Sequence, residues 1–379
     1  MTVLSLFDGM SCGQIALREL KIKIETYYAS EVDKFAIAQT KLNFPETVQL
    51  GDVRNIDARK LGHIDLIIGG SPCQSFSFAG KRAGMATKEK EEIYTLDRYL
   101  ELKKANFEFE GQSYLFWEYV RILHELRENN PKILFLLENV EMGKKWETIL
   151  SDAIGLHGIH INSALVSAQI RKRIYWTNIR TTSDLFGNLY TDIPQPYDRN
   201  ILLHDIMQDD ADIDESYYLK NICLTTVETN NLILQKPRSK NNGKLYVEKS
   251  PTVTSNAWQK NNFIIKKTKR LNKSNENNRR KQPFQQNRIY DIHHKAPACC
   301  ATLTGGACAI ADENIENYRI RRLTPNECAR LQTVPDWYKW QCSKTQQYRM
   351  LGNGWTIEVI KHILSFLPSV HTKIEKAIP

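Results

Sequence analysis

Residues 65–77 of the chain are Asp65-Leu66-Ile67-Ile68-Gly69-Gly70-Ser71-Pro72-Cys73-Gln74-Ser75-Phe76-Ser77. The stretch begins with a short, β-branched apolar run closed by two glycines, which predicts a buried parallel strand. In open α/β sheets, the carboxyl ends of such strands deliver their loops to a ligand crevice. The loop therefore presents Cys73, beside the rigid Pro72, where such sheets carry out chemistry. Its position alone is compatible with a thiolate nucleophile and with an inert buried cysteine.

Length and composition set the broad class. The chain has 379 residues and a mass of 43.9 kDa, which suits one large domain with a smaller one. No apolar run is long enough to predict a membrane span, and the first residues lack the basic start of a secretion signal. The eight cysteines include no C-x-x-C pair, so we expect reduced thiols in a cytoplasmic, nucleoid-associated protein. Richness in Lys, Asn and Ile suggests a bacterial or phage source.

Positive charge is concentrated in one segment. The formal net charge is +9, yet residues 235–290 contain fifteen Lys or Arg against two acids, Glu248 and Glu276. Such a stretch predicts a surface that binds a phosphate backbone, because neutralised phosphates release counterions. A solvated, partly disordered loop is the alternative, given its many asparagines.

A glycine turn near the amino terminus predicts a nucleoside site. Residues 3–7 predict a strand, and residues 8–13 a tight turn into a helix. Glu31 ends the next strand, 18 residues after Gly13, where nucleotide-binding folds hold ribose hydroxyls. Asp52 lies near the end of the third predicted strand, residues 47–53, where it would accept a hydrogen bond from an exocyclic amine or cap a helix.

Further candidates follow the next strands. Residues 133–137 predict an apolar strand ending at Glu138, and a buried carboxylate is costly unless it is paired or used. We therefore expect Glu138 to face the same crevice as Cys73. Arg171 and Arg173 share one face of an extended segment, which suits phosphate or base contacts. Residues 164–167 predict another strand, and the aromatic residues of the helix predicted at 113–128 are interpreted as core.

The alternation of strands and helices stops near residue 181. This predicts a catalytic domain formed by residues 1–180 and 319–379, interrupted by an inserted domain of residues 181–318. Thr324 and Glu327, with the intervening Pro325, predict a helix start with a capping box. A zinc site can be considered among one group of residues, but their spacing fits no common finger and we expect no metal: His293, His294, Cys299, Cys300 and Cys308.

Together these motifs resemble those of the cytosine-5 DNA methyltransferase family. Their wording is similar to the animal de novo branch, whereas the large gap between motifs matches single-subunit bacterial and phage enzymes. The resemblance implies an α/β fold with a doubly wound, mostly parallel Rossmann-like sheet and an inserted target-recognition domain. The matching stretches occur in the family's order: Phe7-Asp8-Gly9, Glu31, Asp52, Pro72-Cys73-Gln74, Glu138-Asn139-Val140, Gln169-x-Arg171-x-Arg173, Arg322-Leu323-Thr324-Pro325 and Gly352-Asn353.

The resemblance also implies that S-adenosylmethionine occupies the crevice. Phe7 would pack on the adenine, Glu31 would bind the ribose hydroxyls and Asp52 the adenine amine. Where the family commonly has a small residue after Gly-Asn, this chain has Gly354-Trp355, so the detailed role of Trp355 stays open. The full set of residues expected to hold the cofactor is Phe7, Asp8, Gly9, Gly13, Glu31, Val32, Asp52, Val53, Pro72, Asn353 and Trp355.

The implied reaction is methyl transfer to C5 of cytosine in double-stranded DNA. Cys73 would add to C6 while Glu138 holds the N3 and amino edge of the base, with Arg173 positioning it and Arg171 in support. The target nucleotide would have to be flipped out of the duplex, and residues 75–85 would close over it. Residues expected to contact DNA are Gln74, Ser77, Gln169, Thr302 and Leu303, with residues 251–254 competing with the last two.

Several alternatives remain at this stage. A tRNA cytosine-5 methyltransferase shares the family, but the long basic insert favours DNA. A catalytically silent DNA-binding regulator would have no need of Cys73, Glu138 and Arg173 together. A nicotinamide-dependent dehydrogenase would leave those residues unexplained. We expect a monomer, with or without a companion restriction endonuclease. The interval 87–109 lengthens the usual spacing after the nucleophile loop, and its role stays open.

Overall fold

The structure is a computed structural model. It describes residues 1–72, 85–209, 212–217, 232–235, 244–247, 262–265, 289–291, 296–297, 309–311 and 321–368.

A seven-stranded sheet forms the centre of the chain. The first eight strands of the chain are β1 (Thr2–Leu6), β2 (Thr26–Ser30), β3 (Val48–Gln49), β4 (Leu66–Gly70), β5 (Leu134–Val140), β6 (Ile159–Asn162), β7 (Gln169–Ile170) and β8 (Lys172–Thr177). All of them except β7 belong to this sheet, in the spatial order β3-β2-β1-β4-β5-β8-β6. The strands run parallel except β8, which is antiparallel to both neighbours. This confirms the doubly wound, mostly parallel sheet.

Smaller strands follow the sheet in sequence. The next two, β9 (Thr181–Ser183) and β10 (Leu189–Thr191), form an antiparallel hairpin. The later strands are β11 (Leu232–Gln235), β12 (Lys244–Val247), β13 (Asn262–Ile265), β14 (Ile289–Asp291), β15 (Ala296–Pro297), β16 (Ala309–Ala311) and β17 (Arg321–Arg322). They form a three-stranded antiparallel sheet of β11, β12 and β13, a second three-stranded sheet of β14, β16 and β17, and a pairing of β15 with β7.

Helices cover both faces of the central sheet. They are α1 (Cys12–Glu19), α2 (Lys34–Asn43), α3 (Leu96–Lys104), α4 (Phe116–Asn129), α5 (Lys144–Ile154), α6 (Leu203–Ile206), α7 (Pro325–Leu331), α8 (Lys344–Asn353) and α9 (Ile357–Leu364). The capping box is confirmed: Thr324 caps α7, and the Glu327 side chain accepts the Thr324 N–H at 2.8 Å. None of the described helices is long and apolar enough to cross a membrane.

The apolar core has two layers. One packs α1, α2 and α9 against one face of the sheet, and the other packs α3, α4 and α5 against the opposite face. Phe116, Trp117 and Tyr119 on α4 are fully buried in the second layer, so their interpretation as core is confirmed. Two layers of helices around one sheet are the solution by which both faces of a parallel sheet leave water.

The predicted strand at 164–167 is wrong. The strand lies earlier, at β6, and Ser163–Leu165 form a 3-10 turn. The Asn162 side chain accepts hydrogen bonds from the N–H groups of Ala164 and Arg171, both at 3.1 Å, so it turns the chain at the sheet edge. The third strand is also shorter than predicted, because Gly51 adopts a φ of 75° and Asp52 then caps a 3-10 turn.

Helix α1 crosses unusually close to the sheet at Gly13. A Cβ atom built on Gly13 would lie 2.2 Å from Cδ1 of Ile68 on β4. Only a residue without a side chain permits this approach. The glycine therefore brings the turn that precedes α1 down onto the ends of the central strands.

Residues 87–109, whose role the sequence left open, contain α3, and a buried ion cluster connects α3 to α4. Glu118 on α4 has no exposed surface and forms ion pairs with Lys103 of α3 and with Arg121, whose Nε lies 2.7 Å away. Arg121 also donates to the carbonyl oxygen of Ile56 at 2.9 Å. The cluster thus joins α3, α4 and the segment that follows Asp52.

We expect Glu118→Gln to destabilise the protein by about 3 kcal/mol, because it removes the counter-charge shared by Lys103 and Arg121 and leaves the buried Arg121 with Glu125 alone. Urea unfolding followed by circular dichroism measures the change. Glu101→Gln is the matched control, since the ion pair of Glu101 with Arg98 is exposed and is worth less than about 1 kcal/mol. Equal losses for the two variants would contradict this account of the cluster.

Candidate active site

The candidate residues gather at one edge of the sheet, where β1, β2, β4 and β5 end. In the spatial order, β1 lies between β2 and β4, so the direction of winding reverses beside it. Such a reversal opens a crevice at the carboxyl ends of the strands. Phe7 follows β1, Glu31 follows β2 and Pro72 follows β4, all at this edge.

The turn after β1 is held by a buried carboxylate. Phe7, Gly9 and Ser11 all adopt positive φ angles, of 58°, 57° and 62°. The Asp8 carboxylate accepts hydrogen bonds from the hydroxyls of Ser11 and, at 3.0 Å, Tyr27. Burial raises the pKa of Asp8 to about 6, against the lowering effect of these hydrogen bonds. The Asp8 side chain therefore supports the shape of the turn.

Glu31 forms a hydrogen bond with the same turn. Its Oε2 accepts the N–H of Gly9 at 2.8 Å, and its Oε1 accepts those of Val32 and Asp33 at 2.7 and 2.8 Å. Three backbone donors fix the orientation of the carboxylate, and Oε2, which accepts only one of them, keeps a second lone pair. An oriented acceptor at the end of β2 fits the hydroxyls of a ribose. Val32 is 69% exposed beside it, at the rim of the crevice.

Asp52 caps a turn and pairs with a neighbouring arginine. Its Oδ1 accepts the N–H of Arg54 at 2.9 Å, which starts the 3-10 turn of Val53–Asn55. Hydrogen bonds from the Arg54 side chain lower the pKa of Asp52. The capping role considered from the sequence is thus present. Contact of Asp52 with an adenine amine stays a prediction, and the buried Val53 lies next to it.

Glu138 lies within β5, directly opposite Gly70 of β4. Its carboxylate is buried and held at both oxygens: Nε of Arg173 lies 2.9 Å from Oε1, and Nε1 of Trp355 donates to Oε2 at 3.1 Å. The buried carboxylate is thus paired, and the expectation that it faces the same crevice as Cys73 stays a prediction, because Cys73 lies outside the described residues. Two donors from separate parts of the chain leave it oriented at the edge of the crevice.

Arg171 and Gln169 point into the protein. The Arg171 guanidinium donates to the carbonyl oxygen of Gly354 at 2.8 Å, and the Gln169 amide donates to that of Leu331 at 3.1 Å. Both side chains are buried. Arg171 thus holds the segment that carries Trp355, whereas Gln169 holds the end of α7. A supporting role of Arg171 in the reaction stays a prediction. A contact of Gln169 with DNA stays a prediction.

Asn139 is a positioning residue that the sequence reasoning did not single out. Its Nδ2 donates to Oγ of Ser71 at 3.0 Å, and both residues are buried. The bond ties β5 to the loop after β4, two residues before Cys73. A buried amide next to Glu138 at the end of an apolar strand was the signal available in the sequence.

The remaining candidates differ in how the structure places them. Pro72 is half-buried, and Asn353 is exposed at the last position of α8. The residues considered for zinc and most of the basic segment lie outside the described residues. Within the described part, no group of three or more His, Cys, Asp or Glu is placed to hold a metal ion. The other candidates outside the described residues are Cys73, Gln74, Ser77, Thr302 and Leu303.

Comparison with known proteins identifies the family. The family model described as "C-5 cytosine-specific DNA methylase" matches residues 1–368. The chain belongs to this family.

Three similar proteins each match nearly the whole chain. The orphan methyltransferase M.SPRI of Bacillus phage SPR is 27% identical, with 99% of each chain covered. The type II methyltransferase M.HhaI of Haemophilus parahaemolyticus is 25% identical over 95% of this chain and 92% of its own. Among solved structures, a Dnmt2 methyltransferase of S. pombe has a TM-score of 0.57 at 15% identity, covering 97% and 98% of the two chains, and shares the fold.

We expect the burial of Asp8 to make stability depend on pH. Its pKa lies above the ordinary 3.8, at about 6. Between these values the unfolded chain has released the proton and the folded chain still holds it, so stability falls as pH rises from about 4 to about 6 and is constant above. The loss amounts to about 3 kcal/mol.

Asp8→Asn removes this titration, so the stability of the wild type relative to the variant should fall over that pH range. Urea unfolding at intervals from pH 4 to pH 8 measures the difference. Asp152→Asn, at an exposed position of α5, is the matched control. A difference between wild type and Asp8→Asn that does not change with pH would contradict the assignment.

Proposed function

We propose that the protein transfers a methyl group from S-adenosylmethionine to C5 of a cytosine in double-stranded DNA. The observation that carries the proposal is the oriented Glu138 carboxylate, paired with Arg173 at 2.9 Å, on the strand next to the one that leads to Cys73. Family membership supports the reaction type, and the relatives named orphan and type II methyltransferases support DNA as the substrate.

The chemistry of cytosine explains why these residues belong together. C5 is too weak a nucleophile to take a methyl group unaided, so a covalent step comes first. The Cys73 thiolate forms a bond to C6, and Glu138 holds the N3 and amino edge and favours protonation at N3. The electron pair of the ring then resides at C5. After methylation a base removes the C5 proton, the C6–S bond breaks, and the thiolate returns.

The side chains at the crevice match the chemical groups of S-adenosylmethionine. Glu31 offers an oriented carboxylate for ribose hydroxyls, Phe7 an aromatic ring and Asp52 an acceptor for an adenine amine. Trp355 lies at the same crevice beside Glu138, and Gly9 lies there in the turn after β1. When bound, the cofactor supplies an electrophilic methyl group on a sulfonium.

Recognition of DNA belongs, in this proposal, to the inserted domain of residues 181–318. Its basic stretch at 235–290 would fix the register on the phosphates, while polar side chains read base edges. Because the reacting atoms are inaccessible inside a duplex, the target cytosine must be flipped out. We propose that the protein acts as a monomer in bacterial or phage DNA modification, alone or beside a companion endonuclease.

The decisive experiment follows labelled methyl from S-adenosylmethionine into mixed-sequence duplex DNA and into bulk tRNA. We expect 5-methylcytosine in the DNA, and a loss of at least about 10³-fold in Cys73→Ser, because the covalent step fails. Cys342→Ser is the matched control, since this partly buried free thiol lies on the segment before α8.

Each other outcome is informative. Label only in tRNA would assign the protein to the RNA-modifying branch of the family. A folded protein that binds DNA and labels neither nucleic acid would be a silent regulator. Full activity in Cys73→Ser would exclude the thiolate as nucleophile.

A further inference from the structure

The second oxygen of Glu138 has an unexpected donor. The partner at Oε1, Arg173, belongs to the motif singled out in the sequence, but the donor at Oε2 is the indole of Trp355, which lies 217 positions away in the chain. From the sequence, Trp355 is expected at the cofactor. The structure gives its Nε1 a bond to the carboxylate on the base side of the crevice, at 3.1 Å.

Gly70 makes room for this bond. A Cβ built on Gly70 would lie 2.7 Å from Nε1 of Trp355 and 2.9 Å from Oε2 of Glu138. The backbone of Gly70 does not have a positive φ, so conformational freedom does not explain the glycine. Space does: any side chain at position 70 would push the indole and the carboxylate apart. The three residues therefore form one unit, the Gly70–Glu138–Trp355 cluster.

Trp355 is itself anchored from the cofactor side. Its backbone N–H donates to Sγ of Cys12 at 3.4 Å, and Cys12 is the first residue of α1, directly after the glycine turn. Burial raises the pKa of the Cys12 thiol to about 12, so the sulfur is uncharged at neutral pH. Arg171 fixes the preceding residue through the Gly354 carbonyl at 2.8 Å. One residue thus bridges the end of the cofactor turn and the carboxylate.

We propose that Trp355 is a positioning residue for Glu138, which fixes the plane of its carboxylate and links the cofactor crevice to the base pocket. The inference rests on the proposed function, and it gives Trp355 a role toward the cytosine in addition to any contact with the cofactor. A donor aimed at a carboxylate restricts its rotation. Without the indole N–H, Arg173 alone would hold Glu138.

The test uses Trp355→Phe, which keeps an aromatic ring and removes the N–H donor. We expect kcat for methyl transfer to fall about 10- to 100-fold, as is typical when one hydrogen bond to a charged group is lost. The Kd for S-adenosylmethionine, measured by calorimetry, should change by less than about threefold.

Trp337→Phe is the matched control. The Nε1 of Trp337 also donates to a carboxylate, that of Glu19, at 2.8 Å, but this pair lies away from the cluster. We expect its kcat to equal that of the wild type. A Trp355→Phe variant with unchanged kcat would overturn the inference, and so would one that loses only affinity for S-adenosylmethionine.

Gly70→Ala tests the same cluster without touching Trp355. The added methyl group should separate Nε1 from Oε2 and reproduce the fall in kcat. Gly143→Ala is its control, since a Cβ there would meet nothing within 4 Å. Wild-type behaviour of Gly70→Ala would overturn the inference while leaving the proposed function intact. A wild-type protein that labels no nucleic acid would instead overturn the proposed function.

Discussion

The ion pair between Glu138 and Arg173 is the interaction on which the rest of the site depends. It exists because β8 runs against its neighbours: its first residues arrive at the edge where β1, β4 and β5 end. In a parallel strand, Arg173 would enter the sheet at the opposite edge, and the buried carboxylate would lack a counter-charge. A single reversed strand thus delivers a cation where a nucleotide base is expected to bind.

The opposite side of the crevice is shaped by carboxylates that serve the backbone first. Asp8 holds the turn after β1 by accepting hydrogen bonds from hydroxyl groups, whereas Glu31 accepts the N–H of Gly9 in that turn and the two N–H groups that follow Glu31 in sequence. These bonds stabilise a turn whose residues Phe7 and Ser11 have positive φ angles. A ligand therefore meets a surface that is already ordered, and its binding loses less conformational entropy.

Local patterns predicted the parts of this structure that depend on neighbours in sequence. Apolar runs indicated β1, β4 and β5, and the Thr324 capping box indicated the start of α7. The strand expected at 164–167 failed because one side chain, Asn162, turns the chain through hydrogen bonds that hydrophobicity does not report. The bond of Trp355 to Glu138 was equally hidden, since its partners are 217 positions apart and only the folded sheet brings them together.

The packing of α9 against α1 has a consequence for synthesis on the ribosome. Ile15 and Ala16 share one apolar layer with Ile357 and Ile360, so a face of the sheet begun by the first residues is covered by nearly the last described ones. At usual elongation rates, roughly 20 to 70 seconds separate the two segments. During that time the nascent chain exposes an uncovered apolar face, and Trp355 has not yet been made. The protein therefore becomes active only after its carboxyl-terminal segment has been translated. Until then, the uncovered apolar face is a surface to which chaperones bind.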